Sequence, residues 1–386
     1  MNNFSAKNIV VLSILLLISL IGLFVVENNK VEVKQRWYTK KLRAAILVAE
    51  SAANIKDYRL INSVFVDVVN DPNETALIGQ EYTLITTDRG NIESKLSSTN
   101  PNFAAAIVDM FLEAGLKKND VIAIGYTGSF PGLNIAVLAA VEVLGLKPLI
   151  ITSVGASNFG ANDPYFTWLD MEKYLYEKGV FSNRSIAASI GGGVDIGRGL
   201  SPEGRRLIVD AIERNNVEFI NEKYLEKSIA TRMSLYNKYA DGKKIKAYVN
   251  VGGGIASLGS TVNGKIIQSG LSKVLNLQNY PVRGVIVQMA QKKIPIIHLL
   301  NISNLLQQYG LPNSPEPLPN PGEGEIFAQQ KYDVTLTFFV ALLLAAALIA
   351  VYIIDRKRHQ LGTEFIPLKK TEEKPEVKLS SEPIAS

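Results

Sequence analysis

The sequence predicts an α/β fold with a mostly parallel sheet and glycine-rich loops at the carboxyl ends of its strands. Apolar runs of strand length alternate with helical segments, and several of these strands run directly into loops of small residues. Two long apolar runs without charge lie near the ends of the chain. Strands of a parallel sheet are buried on both faces and are therefore continuously apolar. We expect a globular α/β domain flanked by an N-terminal and a C-terminal transmembrane helix.

The two apolar runs are Ile9–Val26 and Thr335–Ile354. About 20 apolar residues span the hydrocarbon core of a bilayer. The first run exits into Glu27 without a small-residue cleavage site, which favours an uncleaved anchor over a cleaved signal peptide. The predicted segments are a short N-terminal segment 1–8, a span 9–26, a globular domain 27–310, a proline-rich linker 311–334, a span 335–354 and a disordered charged tail 355–386.

The distribution of basic residues indicates the orientation in the membrane. With two spans, both termini lie on the same side, and basic residues beside a span favour the cytoplasm. Basic residues on the domain side nearly balance those at the termini, but the cluster Arg356-Lys357-Arg358 directly adjoins the second span. We therefore expect a bacterial inner-membrane protein with cytoplasmic termini and a large extracytoplasmic domain.

Composition excludes several kinds of functional site. The chain of 386 residues has no cysteine, which excludes disulfides, thiolate metal sites and cysteine nucleophiles. Two histidines, His298 and His359, are too few for a histidine-rich metal site, and we expect neither a metal nor a cofactor. The net charge is +5, and no basic block is interleaved with aromatic residues, so nucleic acid is not an expected partner.

The clearest structural unit begins at Val121. Val121–Tyr126 is an apolar run of strand length, and Thr127–Asn134 is a loop that contains glycine and proline. Ile135–Leu144 is an alanine-rich helix, and Leu149–Val154 is a second apolar strand that ends in the small-residue loop Gly155–Gly160. A strand, a helix and a strand at this spacing form a βαβ unit with parallel strands.

Strands and helices continue to alternate on both sides of this unit. Before it, we predict a helix over Lys41–Tyr58, a strand or a mixed segment over Leu60–Val69, a strand over Tyr82–Thr87 and a helix over Asn102–Ala114. After it, we predict a helix from an Asp163-Pro164 cap to Lys178, a strand over Ser185–Ile190, a helix over Pro202–Asn215, a strand over Lys246–Val251, a helix over Arg283–Lys292, a strand over Pro295–Leu300 and a helix over Ser303–Tyr309.

The loops that follow the strands form the predicted binding site. In open α/β sheets, ligands bind outside the carboxyl ends of the strands, where glycine lets the backbone approach them. The candidate ligand-binding residues are Thr127, Gly128, Ser129, Gly132, Asn134, Ser157, Asn158, Asp195, Arg198 and Ser257. In the alternative interpretation the glycines only form tight turns and close packing, and Asp195 belongs to an Asx turn.

Known catalytic and phosphate-binding motifs are incomplete in these loops, so no catalytic residue is assigned. Gly125–Gly132 departs from G-x-G-x-x-G, and Gly264-Lys265 is followed by isoleucine rather than serine or threonine. Ser157 and Ser257 each lack one glycine of the G-x-S-x-G nucleophile elbow. His298 lies inside an apolar strand, which is more typical of a core histidine than of a general base.

Three segments, Thr127–Asn134, Ser153–Asp170 and Asn250–Gly259, resemble the family called poly-gamma-glutamate system protein. Further similar segments are Leu84–Gly90, Lys95–Ala105, His298–Asn301 and Pro321–Gly324, so that the resemblance covers most of Ile78–Gly324. The resemblance implies a membrane component of bacterial poly-γ-glutamate synthesis and export. Its implied partners are the other membrane subunits of that system and the polyanionic glutamyl polymer.

The chain lacks the lysine-containing phosphate loop that a ligase subunit needs, so we expect an accessory subunit that binds polymer or precursor at the glycine-rich loops. Two alternatives stay open. One is a membrane-anchored hydrolase or amidase that trims the polymer, with Ser129, Ser157 or Ser257 as nucleophile and His298 as base. The other is a small-molecule sensor whose C-terminal tail signals to the cytoplasm.

Overall fold

The computed structural model describes residues 9–276 and 279–363. The helices in these ranges are α1 (Ile9–Asn28), α2 (Tyr38–Ile61), α3 (Ile92–Ser98), α4 (Phe103–Glu113), α5 (Pro131–Leu144), α6 (Trp168–Glu177), α7 (Pro202–Arg214), α8 (Leu225–Ala240), α9 (Ile255–Leu258), α10 (Thr261–Ile266), α11 (Val285–Gln291), α12 (Ile302–Tyr309) and α13 (Val334–Thr363). The strands are β1 (Lys30–Lys34), β2 (Thr86–Asp88), β3 (Val121–Thr127), β4 (Lys147–Ser153), β5 (Ala156–Ser157), β6 (Ala187–Ser189), β7 (Glu218–Phe219), β8 (Ile245–Val251), β9 (Gly270–Ser272), β10 (Ile296–Leu299) and β11 (Ala328–Tyr332).

The chain divides into two compact units, and the first contains both apolar helices. Its described residues are 9–32 and 330–363. Helices α1 and α13 are each long and apolar enough to cross a membrane. They contact each other, and a Cβ added at Gly22 would lie 2.8 Å from Val340 Cγ1. A small residue at this point allows the close helix approach that is common between membrane helices.

Helix α13 is longer than the predicted span. It continues to Thr363, so residues 355–363 of the predicted disordered tail are helical. Arginine, lysine and glutamine are good helix formers, which explains why the helix continues past its apolar part. Residues 364–386 of the predicted tail and the predicted segment 1–8 lie outside the described residues.

The second unit, Val33–Gln329, is built on a seven-stranded sheet. The strand order is β7-β6-β4-β3-β8-β10-β9, and the neighbours pair in parallel except for the antiparallel pair β10–β9. The prediction of a mostly parallel α/β sheet is therefore confirmed. From β3 the chain first adds strands on one side, through β4 and β6 to β7, and then adds β8 and β10 on the other side. The strand order therefore reverses between β3 and β8.

The sheet is buried on both faces, as its apolar strands predict. In β3, Ile122, Ile124 and Tyr126 belong to a core cluster with apolar residues of α2, α4 and α5. Val121 and Ala123, which alternate with them, belong to a second cluster with apolar residues of α8 and α11. This alternation follows from the two-residue period of a strand and leaves the ends of the strands as the place where polar side chains gather.

Several predicted boundaries are wrong. Helix α6 begins after Thr167 rather than at Asp163-Pro164, because Thr167 and Asp170 form a reciprocal capping box. The Asp163 side chain instead accepts a hydrogen bond from the Tyr165 N–H, at 2.8 Å. The range Leu60–Val69 contains the end of α2 and then no strand. Of the predicted strand Tyr82–Thr87, only the last two residues are extended, as the start of β2.

Helix α8 has no counterpart among the predicted elements.

The proline-rich segment packs on the globular unit through residue 329. The Asn102 side chain donates hydrogen bonds to the carbonyl groups of Asn320 and Glu323, at 2.9 and 3.1 Å. Phe327 is fully buried in the core cluster of α2, α4 and α5. The segment was predicted as a rigid proline-rich linker, and these contacts attach it to the domain.

Candidate functional site

A cleft of about 400 Å³ lies across the carboxyl ends of the parallel strands in the globular unit. Its lining includes the end of β3 at Thr127 and residues that follow four further strands: Ser157 after β4, Gly192 after β6, Gly253 after β8 and Asn301 after β10. The loops after β3 and β8 flank the point where the strand order reverses. This is the position at which open α/β sheets generally bind ligands.

The structure brings three of the ten predicted binding residues into the lining of this cleft, namely Thr127, Ser129 and Ser157. The other predicted residues lie outside the lining that the structure describes: Gly128, Gly132, Asn134, Asn158, Asp195, Arg198 and Ser257. The prediction of a site at the ends of the strands thus coincides with the cleft, but most of the individual residues have another place in the fold.

The loop after β3 is packed against neighbouring backbone at Gly128 and Gly132 and is hydrogen-bonded by Asn134. A Cβ at Gly128 would lie 2.3 Å from the carbonyl oxygen of Val154, and one at Gly132 would lie 2.4 Å from that of Ser98. The Asn134 side chain donates a hydrogen bond to the Thr127 carbonyl, at 2.9 Å. For these two glycines, close backbone packing explains the sequence pattern.

Three further predicted residues, Asn158, Ser257 and Arg198, have contacts outside the cleft lining. Asn158 is buried and accepts a hydrogen bond from the Gly90 N–H, at 3.2 Å. Ser257 is buried, and its hydroxyl lies 2.7 Å from that of Tyr248. Arg198 is exposed, and its backbone forms an isolated bridge with Gly193.

Asp195 lies at the centre of a buried polar cluster, which we call the Asp195 network: Asp195, Arg232, Ser153, Ser189 and Ser228. Arg232 Nη2 lies 3.1 Å from Asp195 Oδ2, and both side chains are almost completely buried. The hydroxyls of Ser189 and Ser228 donate to the carboxylate, at 2.8 and 2.6 Å. Burial disfavours the charge of Arg232, but the nearby carboxylate outweighs this and the pKa of Arg232 is raised. The ion pair of this network is thus satisfied by side chains inside the protein.

Lys95 is a buried basic residue of the cleft that was not among the predicted binding residues. It lies on α3, is only 2% exposed and lines the cleft together with Ser129 and Ser157. Its Nζ donates a hydrogen bond to the Ser129 carbonyl and lies 2.8 Å from the Ser157 hydroxyl oxygen. We call these three residues the Lys95 cluster. A lysine in the polar stretch Ser94–Thr99 has no spacing that marks it as functional, and only the fold brings it to the ends of the strands.

The electrostatics of Lys95 differ from those of an ordinary surface lysine. Among the described residues, no acidic side chain forms a salt bridge with it. Nζ also lies 4.0 Å from the centroid of the Phe130 ring. Burial lowers the pKa of Lys95 to about 7, so that the neutral and the charged amine are both populated near neutral pH.

The lining of the cleft combines polar and apolar groups and is slightly basic. Within the described chain it contains two basic side chains, Arg89 and Lys95, and one acidic side chain, Asp88. The Ser129 hydroxyl accepts a hydrogen bond from the Ser157 N–H, at 3.0 Å, which ties the loop after β3 to the loop after β4. Gly253 has open space around its Cα, so the backbone is accessible there. The arrangement suits a ligand with carboxylate and amide groups.

His298 occupies the core rather than the cleft lining. It is paired in register with Asn250 across β10 and β8, and its Nδ1 lies 3.0 Å from the Asn250 side-chain nitrogen. Burial lowers the pKa of His298 to about 4, so the ring is neutral at physiological pH. This agrees with the expectation of a core histidine.

Among residues 9–276 and 279–363, no group of three or more histidine, aspartate or glutamate side chains lies where it could share a metal ion. Comparison with protein-family models, with curated proteins and with solved structures gives no match for this chain.

Proposed function

We propose that this protein is a membrane-anchored accessory subunit of a bacterial poly-γ-glutamate synthesis and export system. In this proposal the cleft binds the polymer or a γ-glutamyl precursor. The observation that supports it best is the convergence of hydroxyl groups, two basic side chains and accessible glycine backbone at the ends of the parallel strands.

The chemistry of the polymer fits this lining. A γ-linked glutamyl chain carries one carboxylate and one amide per residue. Arg89 is exposed on the rim of the cleft, and Lys95 lies within it, so the two are available to different carboxylates. Hydrogen bonds between charged groups contribute about 1.5–3 kcal/mol each, which gives measurable affinity from few contacts.

The two apolar helices support the membrane part of the proposal. Helices α1 and α13 are of spanning length, and Arg356 and Lys357 follow the apolar part of α13. By the positive-inside rule, we propose an inner-membrane location with both termini in the cytoplasm and the globular unit outside. The other membrane subunits of the system are the proposed partners of these helices.

The binding proposal is tested by titrating the full chain in detergent with γ-glutamyl oligomers in a calorimeter. We expect saturable binding that weakens with salt, since part of it is electrostatic. The matched controls are α-linked glutamyl oligomers, which have the same charge but a different backbone, and the Arg198→Ala variant, which loses a cation outside the cleft. Absence of binding, or equal loss in Arg198→Ala and in Arg89→Ala, would contradict the proposal.

The orientation is tested by adding protease to intact spheroplasts. We expect the globular unit to be degraded and a C-terminal tag after residue 386 to be spared. A protected globular unit would reverse the proposed orientation without affecting the binding proposal.

A further inference from the structure

The Lys95 cluster contains the elements of a serine nucleophile and its base. Ser157 lines the cleft, and its hydroxyl oxygen lies 2.8 Å from Lys95 Nζ. A general base must lie within hydrogen-bond reach of the proton that it removes, about 2.6–3.2 Å between heavy atoms. Lys95 meets this requirement from a buried position, where water competes little for its lone pair.

We propose that Ser157 is a nucleophile for which Lys95 is the general base, so that the cleft cleaves an acyl bond through an ester on Ser157. The inference rests on the proposed function only for the identity of the acyl group, a γ-glutamyl amide. The nucleophile and the base follow from the positions of Ser157 Oγ and Lys95 Nζ in the cleft, whatever the acyl group is.

Lys95 Nζ donates hydrogen bonds to the Ser129 carbonyl and to the Ser157 hydroxyl oxygen. When the amine loses its proton, a lone pair replaces one N–H, and Nζ then accepts the Ser157 O–H over the same short distance. Removing an ammonium from water costs several kcal/mol, whereas attraction to a ring such as that of Phe130 returns about 2 kcal/mol. Burial therefore dominates and lowers the pKa of Lys95 to about 7. The charged groups that share the cleft are Asp88 and Arg89, one of each sign, and both are exposed to screening solvent.

Ser157 is distinguished from the other candidate nucleophiles. The Ser129 hydroxyl accepts the Ser157 N–H, and Lys95 contacts the carbonyl of Ser129 rather than its hydroxyl. Ser257 pairs with Tyr248 outside the cleft lining. His298, the base expected from the sequence, bonds to Asn250 and lies outside that lining.

The fold also fixes the position of the Ser157 side chain. Ser157 belongs to β5, which pairs in parallel with β2, and this pairing holds its backbone in place. A Cβ at Gly90 would lie 3.2 Å from Ser157 Oγ, 3.1 Å from Lys95 Cε and 2.5 Å from the Asn158 carbonyl. Glycine at position 90 lets the loop after β2 close over the pair and limits its contact with bulk water.

The reaction balances without a co-reactant other than water. Ser157 Oγ attacks the amide carbonyl carbon, and its proton passes to Lys95 Nζ. The tetrahedral intermediate expels the amine, which receives that proton from Lys95, and the acyl group remains as an ester on Ser157. Water, deprotonated by Lys95, then attacks the ester. The carboxylic acid leaves, and the proton on Lys95 returns to Ser157 Oγ.

The test is labelling of the full chain in detergent with a fluorophosphonate, which phosphonylates activated serines, followed by peptide mass spectrometry. We expect one label, on Ser157, and none in Ser157→Ala. The labelling rate should rise with pH through about 7, as Lys95 loses its proton. Ser234→Ala, which removes an exposed serine of α8, is the matched control and should label like the wild type.

Two variants of the base separate proton transfer from electrostatics. Lys95→Arg keeps a positive charge but cannot accept a proton, and Lys95→Met removes both properties. General-base catalysis contributes about 10²–10⁴-fold, so both variants should label at least about 10²-fold more slowly while retaining the wild-type fluorescence of buried Trp168. If a variant unfolds, the pH profile of the wild-type protein decides.

The inference is overturned by a label on another residue, by no label, by a flat pH profile or by a wild-type rate in folded Lys95→Arg. The probe contains no glutamyl group, so the two proposals fail separately. Labelling of Ser157 without binding of γ-glutamyl oligomers would remove the proposed function and leave the nucleophile. Binding without labelling would do the reverse.

Discussion

Lys95 and Arg232 are both buried cations of the globular unit near the ends of the parallel strands, yet their surroundings differ. Arg232 faces the carboxylate of Asp195 at 3.1 Å, with serine hydroxyls that complete the network. Lys95 lines a cleft, and its hydrogen bonds to described residues go to neutral oxygen atoms of Ser129 and Ser157. The charge of Arg232 is neutralised inside the protein. That of Lys95 is neutralised by losing its proton or by an anion that enters the cleft.

The partners of a buried charge therefore distinguish structural from functional polar residues at the carboxyl ends of the strands: a structural charge has an internal counter-ion, and a functional one does not. Ser153 belongs to both environments, since it lines the cleft and contacts Arg232 and Asp195. The Asp195 network therefore supports the wall of the cleft, and the Lys95 cluster supplies its reactive surface. The first should matter for folding, and the second should matter for binding and chemistry.

The largest expected effect is that of Asp195→Ala on stability. The change leaves Arg232 buried without its carboxylate, and removing one partner of a buried ion pair costs about 3–5 kcal/mol. The measurement is urea unfolding of the full chain in detergent, followed by the fluorescence of buried Trp168. The matched control is Asp210→Ala, which removes an exposed partner of Arg206 and should cost less than about 1 kcal/mol. Equal losses in the two variants would show that the network carries no special stability.

Lys95→Met should show the opposite behaviour. Methionine fills a similar volume and removes a buried amine, so the loss of stability should stay within about 1 kcal/mol, the value of a typical net hydrogen bond. Below pH 7, where Lys95 is charged, binding of γ-glutamyl oligomers should weaken about tenfold or more, because a charge-assisted bond of about 1.5–3 kcal/mol is lost. Calorimetric titration of Lys95→Met beside Arg198→Ala checks this, since Arg198 is a cation outside the cleft lining. A large loss of stability with unchanged affinity would assign Lys95 a structural role like that of Arg232.

The glycines near the cleft are likewise of two kinds, those in close contact with neighbouring backbone and those beside open space, and alanine variants test this distinction. A Cβ at Gly132 would lie 2.4 Å from the Ser98 carbonyl, whereas none of the surrounding atoms lies within 4 Å of a Cβ at Gly253. Gly132→Ala should cost about 1–3 kcal/mol through overpacking, and Gly253→Ala should change stability by no more than about 0.5 kcal/mol. Urea unfolding of both variants measures the contrast. Equal effects would mean that the two glycines have the same structural role.

The central part of the fold was predictable because its signal is local. Strands β3, β4 and β8 each have an apolar, largely buried centre, and their predicted bounds lie within about two residues of the structure. The two-residue strand β5 and the three-residue strand β2 were not predicted as such, since each exists only through pairing with the other. Helix α8 did carry a signal, with buried Ile229, Met233 and Tyr236 at helical spacing on one face, but many polar residues surround them.

The candidate site was predictable in position and only partly in its residues. Parallel strands end at one edge of the sheet, so Thr127, Ser129 and Ser157 were expected to lie together. Arg198 was expected there too, but the loop Gly191–Gly199 is wound through two isolated bridges and leaves it exposed outside the lining. Lys95 comes from a short helix before the first central strand. The contact between Lys95 and Ser157 could not be predicted from the sequence, because the two residues lie far apart in the chain.

A pH dependence of stability also separates the two cations. The unfolded lysine titrates near 10.5, whereas burial lowers the pKa of Lys95 to about 7 in the folded protein. Between these values the unfolded chain binds more protons than the folded one, so the free energy of unfolding rises with pH, by at most about 1.4 kcal/mol per pH unit for one group. Below pH 7 both states are charged and the cost of burying the ammonium is fully present; it is relieved as pH rises towards 10.5. The pKa of Arg232 is raised, and this group stays charged throughout that window.

The measurement is urea unfolding between pH 7 and pH 9.5 of the wild type and of Lys95→Met, in which every other titrating group is shared. The wild type should gain stability relative to the variant as pH rises, and parallel curves would mean that Lys95 stays charged in its burial site, held there as Arg232 is.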